Sequence, residues 1–500
     1  MTKFWPSFWF HGLLGCTGAL QIVSSNTIAP QLQAFFIRIF SEQYGHRLTP
    51  VQLSAFWSTF CNLFIVGCTL GSLTFGMLAD AIGRKWTICV LANSWVAGGC
   101  VLQYVALLFD RLELLLLART LTGTGCALQQ MYIVFVSECA ANPAQGAKAS
   151  GTLLIVFQLV CNLGIVLNIE PLLGGDNLWK LSFLVPAPLA LLHMVASIFW
   201  VRESPKHLYI GKSKPLEAER AFLFYHGESA DWESRRVSLE GERQLSGKVA
   251  SLGEILRTPH LRKAMLVAAV AMASGTTGGL TAAGFYSTEL LIKLGVSAAG
   301  AGLLTLLLLP LPCTIILLTI GLANLPERLG RRPIILFGTA IAVAGSSLIF
   351  ASDMLGGIGD GLLGKISIAS GLFLAFQAFY AGSFVAGGIV IVEIAPHASR
   401  SWTSGVATSA VWLTSLVVGL VYPILHNVAG TWAALPLVLA STSCFVFLFL
   451  QLPETKNIDL DKLMAKWGKR AEMAKWESTT ADEMNGIDKA PTMEECDSRV

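Results

Sequence analysis

The stretch Gly76-Met-Leu-Ala-Asp80-Ala-Ile-Gly83-Arg84-Lys85 lies directly between two long apolar runs. A carboxylate and two cations confined between apolar segments of that length predict a tight turn at a membrane surface. Gly83 removes a side chain where two backbones approach closely. Arg84 and Lys85 predict that this turn faces the cytoplasm, because cytoplasmic loops of membrane proteins carry an excess of Lys and Arg.

The same pattern returns in the second half of the chain as Glu327-Arg-Leu-Gly330-Arg331-Arg332, again followed by an apolar run. The carboxylates of the two turns are separated by 327 − 80 = 247 residues. Two further pairs keep nearly this offset: Glu138 with Glu393 (393 − 138 = 255) and Glu203 with Glu454 (454 − 203 = 251). Three such offsets in the same order predict two homologous halves, which is the repeat plan of many transporters.

The composition predicts an integral membrane protein. Of the 500 residues, 54% are hydrophobic and 13% are charged, and the mean hydropathy is +0.62. A soluble domain carries about 25% charged residues, so an all-helical membrane protein is the better interpretation. The 11 cysteines are an odd number and show no metal-ligand spacing. No phosphate-binding Gly-Lys loop or hydrolase motif occurs, and the sequence predicts no enzyme, cofactor, metal site or nucleic-acid partner.

Apolar runs near the ~20 residues that a bilayer core requires predict six spans in each half. The predicted spans are 8–29, 54–76, 86–109, 112–136, 150–170, 179–201, 263–287, 299–323, 333–352, 366–392, 403–425 and 432–452. The predicted domains are a six-helix bundle (1–201), a Lys- and Arg-rich cytoplasmic linker with short helices (202–262), a second six-helix bundle (263–452) and a partly disordered cytoplasmic tail (453–500). An even count predicts both termini in the cytoplasm.

Two segments outside the spans need separate mention. Residues 30–50 are predicted to be a polar connection on the outer side. Residues 458–476 have helical spacing of apolar side chains with lysines between them, so this part of the tail lies either on the anionic inner leaflet or in solvent.

Taken together, the charged motifs resemble those of the major facilitator superfamily and, within it, of the sugar porter (glucose-transporter-like) family. The matching motifs are Gly76…Asp80…Gly83-Arg84-Lys85, Arg119…Glu138, Glu203-Ser-Pro-Lys206, Glu327…Gly330-Arg331-Arg332, Glu393…Arg400 and Pro453-Glu454-Thr-Lys456. The resemblance implies an all-α fold of about 12 transmembrane helices in two six-helix bundles. It also implies a monomeric carrier of a sugar-like solute in the plasma membrane, working by alternating access without a cofactor.

The charged residues at the cytoplasmic ends of the spans are predicted to form a gate. Arginines have several donors in a planar fork and suit the clamping of carboxylates at half-buried positions. The predicted gate residues are Asp80, Arg84, Lys85, Arg119, Glu138, Glu203, Glu327, Arg331, Arg332, Glu393, Arg400 and Glu454. We expect them to tie the two bundles together on the inside. The alternative is a topology signal combined with helix capping.

The resemblance places the substrate between the halves at mid-membrane, and the predicted contacts are Gln158, Thr276, Thr281, Tyr286, Tyr380 and Trp412. The family's paired glutamines of the seventh span are replaced here by Gly275 and Thr276. Because amides and carboxylates recognise sugar hydroxyls, fewer partners remain for a polyol. Helix–helix contacts are the alternative role for Gln158, and packing is the alternative role for Trp412.

Transport is predicted to be facilitative. Proton-coupled relatives carry an acidic residue in the first span, and residues 8–29 contain no Asp or Glu. His11 and His193 lie within predicted spans, where a proton relay is the alternative to a structural role. Two further hypotheses are a carrier of an organic ion or less hydroxylated solute, and a non-transporting sensor built on the same fold.

Overall fold

A computed structural model gives the fold of the chain. The structure describes residues 4–22, 24–175, 177–246, 251–281, 283–284, 287, 291, 297, 300, 303–304, 307–308, 310–322, 325–352, 362–396, 399–456 and 462–468.

The first half and the linker are helical wherever the structure describes them at length. The helices of the first half are α1 (Phe4–Leu14), α2 (Ser24–Thr27), α3 (Ala29–Gln43), α4 (Pro50–Ile82), α5 (Ala92–Leu108), α6 (Leu112–Gln130), α7 (Tyr132–Cys139), α8 (Pro143–Leu167) and α9 (Pro186–Trp200). The linker contains α10 (Pro215–His226), α11 (Trp232–Ser246) and α12 (Leu252–Arg257). A π-helical segment, Lys85–Leu91, leads into α5.

The second half repeats this pattern. Its described helices are α13 (Pro259–Ala273), α14 (Pro310–Leu322), α15 (Leu325–Leu329), α16 (Arg331–Ala351), α17 (Leu362–Ala378), α18 (Gly388–Ile394), α19 (Arg400–Ala429) and α20 (Leu435–Gln451), followed by α21 (462–468) in the tail. The π-helical segment Phe379–Gly387 joins α17 to α18.

Among the described residues, eight helical stretches are long and apolar enough to cross a membrane. They are Pro50–Ile82, Lys85–Leu108, Ala144–Leu167, Trp179–Trp200, Arg331–Ala351, Leu363–Ile394, Trp402–Tyr422 and Trp432–Gln451. Large apolar side chains on their outer faces are exposed, as lipid-facing residues must be, and Phe199 (76%) and Trp200 (71%) are examples. In the predicted span 112–136, α6 and α7 are separated at Met131. The predicted spans 263–287 and 299–323 lie partly outside the described residues.

Small residues let the helices of the first half approach closely. A Cβ atom at Gly67 would lie 2.0 Å from the carbonyl oxygen of Thr120, and one at Gly123 would lie 2.1 Å from that of Phe64. Apolar helices in lipid gain little from hydrophobic burial against each other, so close van der Waals packing at glycines must stabilise the bundle. The α4–α6 contact is therefore set by glycine on both helices.

The first predicted span and the connection after it differ from the structure. Residues 30–50 were expected to be a polar connection, but α3 occupies most of this stretch. Its buried face consists of Leu32, Phe35, Phe36 and Ile39, which pack against aromatic residues of α4. The sequence alternates these residues with glutamines and an arginine at helical spacing, so an amphipathic helix was encoded where polarity suggested a loop. The span itself is interrupted by the 3₁₀ turn Thr17–Gln21.

The described part of the tail lies on the protein. Leu463 and Trp467 of α21 are 7% and 6% exposed and belong to the core of the bundles. The ammonium group of Lys263, near the start of α13, lies 5.3 Å from the centre of the Trp467 ring. The prediction for residues 458–476 named the lipid leaflet or solvent and did not include this contact with the protein.

In the described part of the chain, the two halves meet along two helices of the first half, α4 and α8. α4 packs along α19, and α8 packs against α14 and α18. Turns that carry Gly83 and Gly330 lie at the same end of the molecule, which we call the motif end.

We predict that Gly123→Ala destabilises the protein, because its new methyl group would overlap the Phe64 carbonyl oxygen. Overpacking of a tight core costs about 1–3 kcal/mol. The measurement is the melting temperature of the purified protein in detergent. Gly98→Ala is the matched control, since a Cβ there meets nothing within 4 Å and alanine is the better helix former. Equal melting temperatures for the two variants would contradict the role given to glycine in the α4–α6 contact.

Candidate functional site: two charged turns and a polar interface between the halves

A carboxylate caps the backbone of the first charged turn. Gly83 has a φ of +103°, a conformation that favours glycine, and a Cβ there would lie 2.4 Å from Oε2 of Glu203. The Glu203 side chain accepts hydrogen bonds from the backbone N–H groups of Arg84 (3.1 Å) and Lys85 (3.1 Å). Gly83 is thus required both for the turn and for the space that the carboxylate fills.

The Arg84 side chain forms ion pairs with two other acids at the motif end. Its Nη1 donates to Oδ1 of Asp80 at 2.9 Å, and its Nε lies 3.2 Å from Oε2 of Glu138. Nη1 also lies 2.6 Å from Nδ1 of His207, which can accept only when the imidazole is neutral. Ser204 donates from its hydroxyl to Glu138 at 2.7 Å. Arg84 and Glu138 are both buried, so each stabilises the charged form of the other, and either charge would be costly without its partner.

The second half reproduces this geometry. Gly330 has a φ of +92°, and the Glu454 side chain accepts from the backbone N–H groups of Arg331 (2.9 Å) and Arg332 (3.1 Å). Arg331 donates to Glu393 through Nη2 (2.7 Å) and Nε (3.1 Å).

Three minor contacts match as well. Arg331 pairs with Glu327 at 2.6 Å, as Arg84 does with Asp80. Thr455 donates to Glu393 at 2.5 Å, as Ser204 does to Glu138. The second cation of each turn reaches a backbone carbonyl of the half's last helix: Lys85 reaches Ile198 at 3.0 Å, and Arg332 reaches Phe449 at 2.7 Å.

Burial and charge shift the titration of the first-half groups. Burial raises the pKa of Glu138, but Arg84, Lys206 and the Ser204 hydroxyl outweigh it and lower that pKa to about 2. Because the folded-state pKa is depressed, the stabilisation is present above the ordinary pKa of a glutamate and is lost only as the pH falls towards about 2. Burial and the Arg84 charge lower the pKa of His207 to about 4, which keeps it a neutral acceptor.

Every ion pair described above joins two residues of the same half. The expectation that these acids and arginines tie the two bundles together is therefore not met in this structure. Arg400 is the one predicted gate residue that faces the space between the halves without a carboxylate partner among the described residues, and its Nη2 reaches only the Ala395 carbonyl oxygen at 3.5 Å. The ion-pair networks around Arg84 and Arg331 therefore connect helices within each half at the motif end.

Arg119 is not part of the gate. It was expected to pair with Glu138, but 19 residues of α6 and α7 separate them, about 28 Å at 1.5 Å per residue. Arg119 donates to the Gln21 side chain (3.1 Å) and backbone (3.2 Å), and to the Ser25 hydroxyl (2.9 Å). Its guanidinium also lies 4.6 Å from the centre of the Phe64 ring. The partners of this fully buried cation are neutral, which is why a search for opposite charges missed them.

Polar side chains meet between the halves near the middle of α8. Gln158 donates to Oδ1 of Asn162 at 2.9 Å, and Asn162 donates to the hydroxyl of Thr314 on α14. Gln158 also forms a hydrogen bond with Tyr380 of the second half. Asn162 and Thr314 were missed from the sequence. The spacing of four residues between Gln158 and Asn162, which puts them on one helix face, could have indicated the first of them.

The other predicted substrate contacts differ from one another in their hydrogen bonding. The Thr276 hydroxyl donates to the Ala273 carbonyl oxygen at 2.7 Å and so is used by its own helix end. Thr281 is buried, and neither its hydroxyl nor the indole nitrogen of Trp412 has a hydrogen-bond partner among the described residues. Tyr286 lies outside the described residues.

The two histidines form a buried pair. Nδ1 of His11 lies 2.7 Å from Nε2 of His193, and Asn93 contacts the other nitrogen of His193 at 3.0 Å. Gln129 donates to Asn93 at 2.9 Å, which continues the chain to α6. No acidic side chain takes part in these bonds within the described part of the chain. Over the same residues no group of three His, Cys, Asp or Glu side chains is placed to hold a metal ion.

The fold matches that of solved sugar transporters. A structure of the major facilitator superfamily proton:xylose symporter XylE, bound to 6-bromo-6-deoxy-D-glucose, superposes with a TM-score of 0.72 at 17% identity, and covers 92% of this chain and 99% of that one. An inward-open XylE from E. coli gives 0.67 at 16% identity, over 93% and 100%. The chain therefore has the major facilitator fold.

Sequence relatives agree. The human solute carrier family 2, facilitated glucose transporter member 9, is 26% identical over 460 residues, which are 90% of this chain and 82% of that protein. The member 2 protein of Gallus gallus is 26% identical over 460 residues, 89% and 81%. The family model described as "Sugar (and other) transporter" matches residues 17–467. The chain is an integral membrane transporter that belongs to the sugar (and other) transporter family.

Proposed function

We propose that the chain equilibrates a hexose or a related sugar across the membrane by alternating access. The observation that supports this most directly is the polar contact between Gln158 and Asn162 of the first half and Thr314 and Tyr380 of the second. Amides and hydroxyls offer both donors and acceptors, as a sugar hydroxyl requires. They lie where the halves must separate, so a solute can replace these contacts when the interface opens.

We propose further that the motif end faces the cytoplasm, with both termini on that side and the protein acting as a monomer in the plasma membrane. The turns at Arg84 and Arg331 and the linker between the halves carry many of the chain's Lys and Arg residues. Cytoplasmic loops have such an excess. The cycle is then a rocking of two rigid halves, each fixed at its motif end by the carboxylate-capped turn.

Facilitated rather than ion-driven transport is supported by the absence of an acidic partner from the buried polar networks of the first half, within the described residues. Coupling to a proton needs a titratable group at membrane depth that each side reaches in turn. Arg119 is paired with neutral Gln21 and Ser25, and the His11–His193 pair has no acidic partner among the described residues. The described part of the chain then offers no carboxylate in these networks through which a proton gradient could act on the solute.

A second candidate substrate class is an organic ion or a less hydroxylated solute. It is favoured by Gly275 and Thr276, where the resembled family has paired glutamines. The Thr276 hydroxyl is already bonded to Ala273, so it does not replace a missing amide. Uptake of labelled sugars, polyols and organic ions into vesicles distinguishes the two classes, because only the uptake of a true substrate is saturable.

For the charged turn of the first half, we predict that Arg84→Ala slows transport without changing the substrate site. Glu138 would lose its ion pair while still buried, and removing one partner of such a pair costs about 3–5 kcal/mol. Uptake and surface expression are measured together. Lys214→Ala, which breaks only an exposed pair with Glu217, is the control and should transport normally. Normal transport by Arg84→Ala at equal expression would contradict the role proposed for the charged turn in the transport cycle.

For the substrate site, we predict that Gln158→Leu, Asn162→Leu and Trp412→Leu raise the substrate concentration for half-maximal uptake. Each amide change removes one directed hydrogen bond, worth about 0.5–1.5 kcal/mol, or roughly 2- to 10-fold. Leu159→Ala, an exposed neighbour of Gln158 on α8, should leave that concentration unchanged. If none of the three variants changes it, the substrate binds elsewhere.

For the energetics, we predict that the solute equilibrates but does not accumulate. Vesicles are given an inward proton or sodium gradient, and the internal concentration of labelled substrate is followed to its plateau. A plateau equal to the external concentration is expected. A plateau above it that collapses with an ionophore would contradict facilitated transport, and His193→Gln would then test whether the buried imidazole is the coupling group.

A further inference from the structure

A cavity of about 250 Å³ lies between the two halves at the motif end. The first half and the linker helix α11 line one side of it, and α18 and α19 line the other. The polar residues proposed above to contact the solute, near the middle of α8, do not line this cavity. Its charged lining residues are Glu138, Lys206, Arg235, Glu242, Glu393 and Arg400.

The three carboxylates of the cavity already have cations of their own. Glu138 and Glu393 are held by the arginines of the two turns. Glu242 of α11 is held by Lys206, with which it forms an ion pair. The charges of these three acids are therefore balanced by cations other than Arg235 and Arg400.

The two remaining cations have no carboxylate within ion-pair distance among the described residues. Arg235 of α11 is 8% exposed, and its Nε has no hydrogen-bond partner among the described residues. Arg400 on α19 is half-buried; within the same residues its Nε has no partner either, and its side chain reaches only the Ala395 carbonyl oxygen. A buried guanidinium without a partner anion is costly, so Arg235, with Arg400 facing the same cavity, favours a bound anion.

We propose that this cavity binds a phosphate group, as a free phosphate or phosphate monoester, between Arg235 and Arg400. Guanidinium forks match phosphate oxygens with two parallel hydrogen bonds, and a dianion satisfies one arginine on each side. Lys206 adds a third donor near the same space. Burial and the charge of Arg400 lower the pKa of Lys206 to about 8, although Glu242 and Glu138 oppose that shift.

A bound phosphate links the linker helix to the second half. Arg235 belongs to α11 and Arg400 begins α19, and no ion pair of the described residues otherwise joins these two elements. The anion therefore holds the motif end closed and slows the opening of the halves on that side. Transport becomes sensitive to the phosphate compounds present on the face that carries the linker.

Binding is tested on the purified full-length protein, without any transport assay, so the result is independent of the sugar proposal. Labelled inorganic phosphate and glucose 6-phosphate are titrated by equilibrium binding, and the melting temperature is followed in parallel. We expect saturable binding and a higher melting temperature. Arg235→Gln and Arg400→Gln should each weaken the binding at least about tenfold, the loss of charge-assisted hydrogen bonds.

Arg236→Gln is the matched control, because this neighbouring arginine is exposed and pairs only with Glu233. It should bind phosphate like the unchanged protein. Two outcomes would overturn the proposal: no saturable binding of the soluble compounds together with no Arg235-dependent binding to phosphoinositide vesicles, or equal weakening by Arg236→Gln. The source of the group is distinguished by vesicles containing phosphatidylinositol 4-phosphate in phosphatidylcholine: Arg235-dependent binding to these vesicles alone identifies a lipid headgroup, and binding of the soluble compounds identifies a free phosphate.

Discussion

The structure depends on a carboxylate that caps the backbone of a glycine–arginine turn, once in each half. Glu203 and Glu454 accept from the N–H groups that follow Gly83 and Gly330, at the start of a membrane-crossing helix whose first N–H groups have no partner within the helix. The cap leaves the arginine side chain free to pair with the acids of the preceding and more distant helices. Each turn therefore fixes several helix ends with one buried cation.

This arrangement explains how two halves can move against each other without losing their shape. The strong charged contacts lie within a half and are saturated there, as the Arg84–Glu138 and Arg331–Glu393 pairs show. The contacts between the halves are weaker and neutral, and the hydrogen bond between Ser58 and the Gly419 carbonyl oxygen is one of them. Breaking a neutral contact at the interface costs far less than leaving a buried charge unpaired.

The paired charges could be predicted from the sequence because acidic residues and arginines recur at an offset near 250 residues. Such a recurrence indicates an ion pair in each half, and Glu138 and Glu393 both lie beside the turn arginines. Contacts between neutral groups produce no comparable pattern in the sequence. Arg119 was assigned to the wrong acid since its true partners, Gln21 and Ser25, carry no charge. Residues 30–50 were assigned by their polarity, although their period of 3.6 encodes α3.

The repeat also shows where the halves differ. Arg400 follows Glu393 by seven residues, and the residue seven after Glu138 is Gln145, whose amide oxygen accepts from the Ala141 backbone. The first half thus lacks the arginine that the second half points into the space between them. The linker helix supplies a cation to that space instead, through Arg235. This helix packs through Trp232 and Leu239 on Leu208 and Tyr209, outside both six-helix bundles. The cation that balances Arg400 across the cavity therefore comes from the linker and not from the repeat, and this asymmetry is what the proposed phosphate site uses.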